Sequence, residues 1–304
     1  MIKIEDVSHV AFSAPDLDLM ERFHADFGLA TSRVDGKLYA RGIGSAPYLH
    51  ITELGEPGFV AMGLRAASVD DVIALGRSEG VEPKDLDRPG GGVAVTLRDP
   101  DGYAVEVLAG QTPTAPLPVP EMVGWNSVRE KTRYRLPKRT GRDASHVVRL
   151  GHCVLGVSDF RRSEAWYKER FGFITSDEIA VSPEISIGAF MRCDLGDKPT
   201  DHHTLFLLQG PDGVHFHHAA FEVVDVDDLM AGHERLTEGG WKAEWGVGRH
   251  LLGSQVFDYW KDPWGHMLEH WTDGDLFTAA DGSRVAPLPE LLAVQWGPTP
   301  PFAV

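Results

Sequence analysis

The 304-residue sequence repeats itself, and the repeat limits the possible folds more than any other feature. SHVAFSAPDLDLMERFHADFGL begins at Ser8, and GHCVLGVSDFRRSEAWYKERFGF begins at Gly151. In each, an Asp follows a His by seven positions (His9/Asp16 and His152/Asp159), and an amphipathic stretch then ends in Phe-Gly (Phe27-Gly28 and Phe171-Gly172). The far ends also match: DPDGYAVEV (99–107) and DPWGHMLEH (262–270) both run from Asp to Glu in seven steps. A finer repeat lies within each half. HHAAFEVVDVDDL (217–229) restates the His-to-Asp spacing through His218 and Asp225, and FVAMGLRAASVDDV (59–72) aligns with it, with Ala61 in the place of His218. The chain therefore reads as four copies of one supersecondary unit, beginning near residues 9, 61, 152 and 218.

Each copy opens with a short alternating apolar run bounded by Asp, the pattern of a strand. A helix follows, as in SEAWYKERFG, which stops at Gly172, and DDLMAGHERLTEGGW, which stops at Gly239-Gly240. GAFMRCDL, HTLFLLQ, QVFDYWKD and HMLEHWT read as further strands, giving the order β-α-β-β-β. Such a unit leaves one face of a curled sheet uncovered, so the predicted class is α+β, with four βαβββ units paired into two domains, each a curled mixed sheet around a cavity. The predicted divisions are a supporting N-terminal domain at 1–111, a linker at 112–149, a C-terminal domain at 150–280 and a tail at 281–304. The linker is Pro-rich at TPTAPLPVP (112–120) and then basic, with eight Lys or Arg against two acids from Arg129 to Arg149.

Composition excludes some partners. With 29 Lys+Arg against 45 Asp+Glu the net charge is −16, which argues against nucleic acid and anionic membrane surfaces. No apolar run approaches the roughly 18–20 residues of a membrane helix, and the first residues, MIKIEDVSHV, lack a secretory signal pattern. The two cysteines, Cys153 and Cys193, make no disulfide framework and are expected in the core, consistent with a cytoplasmic home.

Ten of the 14 histidines lie between His152 and His270. His152 and His218 fall on first strands of their units and Glu269 on a last strand. Alternation lets each aim one side chain into a shared cavity while its neighbours point away. Two imidazoles and one carboxylate form the facial triad of non-haem Fe(II) oxygenases. The N-terminal half keeps His9 and Glu106 but has Ala61 for the second His, so no catalytic metal is expected there. Alternation should also turn His202 and His217 from the metal, and His266 and His270 stand at odd offsets from Glu269. His233 is expected on a solvated helix face. Phe190, Phe206, Trp245 and Trp260 are candidate walls for a ring-sized pocket.

These units, with His152, His218, Glu269, the GRH of 248–250 and Tyr259, resemble the type I extradiol ring-cleaving dioxygenases of the vicinal oxygen chelate superfamily. The resemblance implies vicinal-oxygen-chelate domains that open a substituted catechol beside its hydroxyls, with O2 and Fe(II), or Mn(II) in some members. It implies an acid/base role for His203, the second His of DHHTLFL. It assigns His250 to contact with the bound catecholate and Tyr259, ten residues before Glu269, to a hydrogen bond with substrate oxygen. The sequence departs from the pattern at Gly253, where members often have Asp, and at Val154, where members acting on carboxylated catechols often have Asn. An alkyl- or aryl-substituted catechol is therefore expected, although Arg249 and Lys261 keep a carboxylate open. Two alternatives stand beside this reading. A glyoxalase-I-type isomerase needs a fourth metal ligand, which TLFLLQ does not offer, and a small-molecule-binding member needs no triad. A homo-oligomer is expected, with the basic arm or the tail (QWGPTPPFAV) packing on a neighbour or capping the cavity.

Overall fold

The computed structural model describes residues 1–119 and 123–301; parts of the predicted linker (120–122) and of the tail (302–304) lie outside the described residues. The first half contains β1 (Ile4–Ala14), α1 (Leu17–Asp26), β2 (Ala30–Val34), β3 (Lys37–Arg41), β4 (His50–Leu54), β5 (Gly58–Ala66), α2 (Val69–Glu79), β6 (Lys84–Asp85), β7 (Val93–Arg98) and β8 (Ala104–Ala109). The second contains β9 (Val147–Gly156), α3 (Phe160–Phe171), β10 (Ile174–Ser182), β11 (Ile185–Arg192), β12 (Thr200–Asp201), β13 (Leu205–Leu208), β14 (His215–Val223), α4 (Val226–Glu238), β15 (Lys242–His250), β16 (Val256–Lys261) and β17 (Met267–Thr272). The tail adds β18 (Leu276–Phe277), β19 (Arg284–Pro287), α5 (Leu288–Leu291) and β20 (Val294–Trp296).

The chain is mixed α+β, with two large mixed sheets and few helices. The first sheet has the order β2-β3-β4-β1-β5-β8-β7-β6. The second repeats it strand for strand as β10-β11-β13-β9-β14-β17-β16-β15, with β19 and β20 added at its two edges. In each, an antiparallel central pair (β1 with β5, β9 with β14) is flanked by parallel neighbours. Among the described residues no helix is long and apolar enough to cross a membrane.

The repeated spacings have local physical causes. The Asp seven residues after each His is a helix N-cap. Asp16, Asp159 and Asp225 accept from the backbone N–H of Leu19, Arg162 and Asp228, and Ser68, seven residues after Ala61, does the same for Asp71. Each satisfies a donor that the first helical turn leaves free. The second spacing begins in a turn. Asp99 Oδ1 accepts from the N–H of Asp101 and Tyr103, and Asp262 Oδ1 from those of Trp264 and His266, so the Glu seven residues after each Asp arrives at a fixed place on the next strand. Helix α3 stops at Gly172, whose φ of +69° costs glycine little.

One apolar core runs through both halves. Phe27 of the first half stacks on His270 (3.9 Å between centroids) and meets Phe221 edge-on, while Phe59 stacks on Phe216 at 4.6 Å. Between β8 and β9 the described residues form no helix or strand. Lys138 pairs with Asp227 (2.6 Å), and the Ser145 hydroxyl donates to Asp228 O (2.9 Å), so this segment is tied to α4. Strand β9 begins at Val147, inside the stretch read as linker. Arg149 sits on it among Asp201 and Glu222 (2.6 Å each) and Asp6.

His24 and His50 lie fully buried in the first half, 4.3 Å between ring centroids, and neither nitrogen of His24 has a hydrogen-bond partner. Burial pushes His24 from its ordinary 6.5 down to about 4, against a weaker upward pull from Asp262. The unfolded chain therefore binds this proton first as pH falls. His24 costs no stability above pH 6.5, and progressively destabilises the fold as pH drops from 6.5 toward 4. At about 1.4 kcal/mol per pH unit the loss at pH 5 is about 2 kcal/mol. Replacing His24 by Phe is expected to flatten this acid limb in urea denaturation between pH 7 and pH 5. An unchanged limb would show that His24 protonates freely in the folded protein.

Candidate metal centre

Strand register builds the site. His152 on β9 pairs with Ala220 on β14, Ala220 with Glu269 on β17, and Glu269 with Tyr259 on β16, so one row crosses four strands. His218 stands two residues from Ala220 on the same strand, and alternation puts it on the same face. One ligand atom each from His152, His218 and Glu269 comes within 4.8 Å of the others, and all three residues are buried. Both imidazole Nε2 atoms are 3.3 Å from Glu269 Oε2. Burial alone would raise the Glu269 pKa, but the two imidazoles hold it well below the usual carboxylate range.

The donor set fits a cation. Glu269 is completely buried, yet neither of its oxygens has a hydrogen-bond partner, and His218 Nε2 has none. Leaving such groups unpaired is expensive, and a divalent ion between them satisfies all three. Two imidazoles and a carboxylate suit Fe(II) or Mn(II).

Other side chains surround this cluster. His203, just before β13, lies 4.0 Å from His152 between centroids, and burial with the neighbouring imidazoles pushes its pKa well down. His250 Nε2 is 3.0 Å from the Tyr259 hydroxyl and 3.8 Å from Glu269 Oε1. Phe190 and Phe206 stack at 3.9 Å and wall the cavity with Trp245 and Val154. Leu291 and Leu292, from the 281–304 segment but ahead of QWGPTPPFAV, complete the wall.

Some expectations need correction. Trp260 does not line the cavity. It neighbours Tyr259 and therefore points to the opposite face, into the core, where its Nε1 donates to Asp258 (2.6 Å). His217 is not turned away. The β9–β14 register shifts between Phe216 and His218, and this bulge breaks alternation, so His217 lines the cavity with Nδ1 2.7 Å from His218 Nδ1. His233 is not simply solvated; it reaches Asp258 (3.1 Å) and the Trp260 ring. His266 and His270 do point elsewhere, to Asp262 (2.8 Å) and to Phe27 O (2.8 Å). Cys153 and Cys193 are buried free thiols. His202 is buried, with Nε2 2.8 Å from Asp177. Asp177 and its partner Arg284 gave no sequence signal, since only the β10–β19 pairing brings them together.

The first half carries the matching row of His9, Gly63 and Glu106, with Ala61 two residues from Gly63. His9 Nε2 approaches Glu106 at 3.1 Å, and the Arg88 guanidinium binds the same carboxylate oxygen. Burial would raise Glu106, but His9 and Arg88 hold it down to about 2. Here a side-chain cation balances the carboxylate. The His9 ring also lies over Gly63, where a Cβ would stand 2.1 Å from His9 Nδ1. Replacing Arg88 by Ala leaves Glu106 with His9 alone, and is expected to destabilise the fold by about 3 kcal/mol, as for removing one partner of a largely buried pair. A shifted urea midpoint reads this, and a midpoint equal to wild type would remove Arg88 from that role.

Residues 149–270 match the profile of the Glyoxalase/Bleomycin resistance protein/Dioxygenase superfamily. This part of the chain is a domain of that superfamily. Full-length similarity is to metapyrocatechase 2 of Cupriavidus necator, 28% identical over 98% of this chain and 90% of that protein. Part of the chain is also 29% identical to the iron-dependent extradiol dioxygenase of Rhodococcus jostii, over 41% of this chain and 43% of that protein. In fold the chain is similar to the Mn(II)-bound glyoxalase of Novosphingobium aromaticivorans, with a TM-score of 0.81 at 23% identity over 99% of this chain and 94% of that one.

Proposed function

We propose that the protein is an extradiol, meta-cleaving dioxygenase that opens an uncharged, alkyl- or aryl-substituted catechol with O2 and Fe(II), Mn(II) being the alternative metal. Its place is then the degradation of aromatic compounds. The observation that carries this reading is a three-ligand cluster whose fourth place is apolar. Phe206 pairs with Val154 just as Glu269 pairs with Ala220, so Phe206 stands where the preceding unit would supply a fourth ligand. That disfavours isomerase chemistry, which wants four protein ligands, and the triad disfavours a purely binding role. The similarity to metapyrocatechase 2 and to an iron-dependent extradiol dioxygenase supports the same reading.

His152, His218 and Glu269 would hold the ion, which when bound supplies Lewis-acid and redox chemistry. The chain's own residues do the rest. His203, a neutral imidazole, accepts a proton from a catechol hydroxyl and returns it later. Tyr259 and His250 position the diol oxygens and stabilise charge on them. Phe190 and Phe206 bound the ring, and Val154, Leu291 and Leu292 keep water out. Among the described residues lining the cavity there is no Lys or Arg. Arg249 is engaged by Asp273 (2.7 Å) and Lys261 by Glu244 (2.6 Å), which argues against a carboxylated substrate. A cytoplasmic location and a homo-oligomer belong to the same reading, the former supported by the two free thiols.

An aerobic assay of Fe(II)-loaded protein against a panel of substituted catechols tests the proposal. A yellow ring-opened product is expected from apolar-substituted members, with carboxylated ones slower. No product from any catechol, with metal occupancy verified, would overturn it.

A further inference from the structure

The two halves share a strand order but differ in what fills and covers the face of each curled sheet. Register matches Val154, Phe206, His218 and Tyr259 of the second half to Ala11, Ile51, Ala61 and Thr96 of the first. Each counterpart is smaller, and a cavity of about 570 Å³ lies over the first sheet, lined entirely by residues between His9 and Glu106. That volume is in the range of ligand and anchor pockets. Leu291 and Leu292, carried between the added edge strands β19 and β20, help to wall the second cavity, whereas the first sheet has no added edge strands.

The first cavity is amphipathic. Its floor is apolar, with Ala11, Tyr39, Ile51 and Ala61 packed together. Lys37 is taken by Glu53 and Arg88 by Glu106, so Asp35, Glu82, Asp85 and Asp87 outnumber Lys84 and Arg98 around it. A protein partner that complements it brings positive charge and apolar side chains together.

One segment of this chain carries both. From Arg129 to Arg142 there are seven Lys or Arg and one acid, Glu130. The root of the segment is fixed to α4 by the pairs Lys138–Asp227 and Arg142–Glu238. Beyond the root, Asn126 closes a turn: its Oδ1 accepts from the Arg133 N–H at 2.8 Å, and its Nδ2 donates to Arg133 O at 3.3 Å. Arg129 and Lys131 lie within this turn, and Trp125, Val128 and Tyr134 are 62%, 94% and 80% exposed. Apolar side chains grouped on one turn and rimmed by charge mark an interaction surface. A turn that is already closed loses little freedom on docking.

We propose that the 125–135 turn of one copy docks in the first-half cavity of a second copy, with its apolar side chains toward the Ala11–Ala61 floor and Arg129 and Lys131 among the acids around it. Two such contacts related by a two-fold axis form an isologous dimer that closes on itself. The inference rests on the homo-oligomer reading and adds to it the two surfaces that meet.

The test is the self-association of the full chain, read by sedimentation and light scattering over a concentration series. The wild type is expected as a dimer or an assembly of dimers. Arg129→Glu with Lys131→Glu, or Asp85→Lys with Asp87→Lys, should each weaken association by about tenfold or more, because like charges then face each other. All four substitutions together should bring association back toward wild type, and Val128→Asp should weaken it without remedy from the cavity pair. These five positions are exposed, so the far-UV circular dichroism spectrum should not change. A monomeric wild type overturns the inference and the homo-oligomer reading together. An oligomer that neither charge pair weakens overturns the inference alone. So does one weakened by the turn pair but not by the cavity pair, or one weakened by both and not restored by the fourfold variant, because the turn then docks elsewhere.

Discussion

Replacing His218 by Ala is expected to abolish both metal retention and ring cleavage while leaving the chain folded. The first half contains the precedent, because the equivalent position is already Ala61 in a sheet of the same strand order. His152 and Glu269 alone would hold a divalent ion weakly. The Lewis-acid contribution is worth several kcal/mol, so turnover should fall by about 10³-fold or more. Metal analysis after anaerobic Fe(II) loading, read beside the far-UV circular dichroism spectrum, checks both halves of the expectation. A variant with wild-type iron content and wild-type turnover would remove His218 from the centre.

Replacing His203 by Phe separates binding from chemistry. His203 lies against His152 but outside the ligand cluster, and Phe fills a similar volume beside Phe190 (4.8 Å between centroids in the wild type). Iron content should therefore stay at the wild-type level. Loss of a positioned acid/base typically costs about 10²–10⁴ in rate, so kcat should fall in that range with little change in KM. Steady-state kinetics on the best catechol of the panel reads the split, and turnover equal to wild type would rule out an acid/base role for this residue.

Much of the site was legible because the sequence repeats. The matched positions His152, His218 and Glu269 stand out only against Ala61 and the other copies, and register then places them in one row. The structure also explains the spacings themselves as helix caps and turn anchors. Where alternation was the guide, it served for His266 and His270 and failed for His217, because a bulge shifts the phase of β14 and no residue in HFHHAAF announces it. Trp260 shows the opposite error, in which aromatic character suggested a pocket wall and strand phase had already excluded it.

The sequence by itself determined the repeated β-α-β-β-β order, picked out His152, His218 and Glu269 as one candidate cluster, and marked the first half as different through Ala61. These depend on local spacing, and local spacing is what strands, caps and turns read. Only the tertiary structure decided what stands opposite what. Arg88 took up the first half's carboxylate, Phe206 came opposite Val154, Leu291 and Leu292 joined the cavity wall, and Arg284 and Asp177 were brought up behind His202. Each of these depends on sheet pairing between segments far apart in the chain, and such pairings are fixed by burial of the whole apolar face rather than by any pattern within one segment.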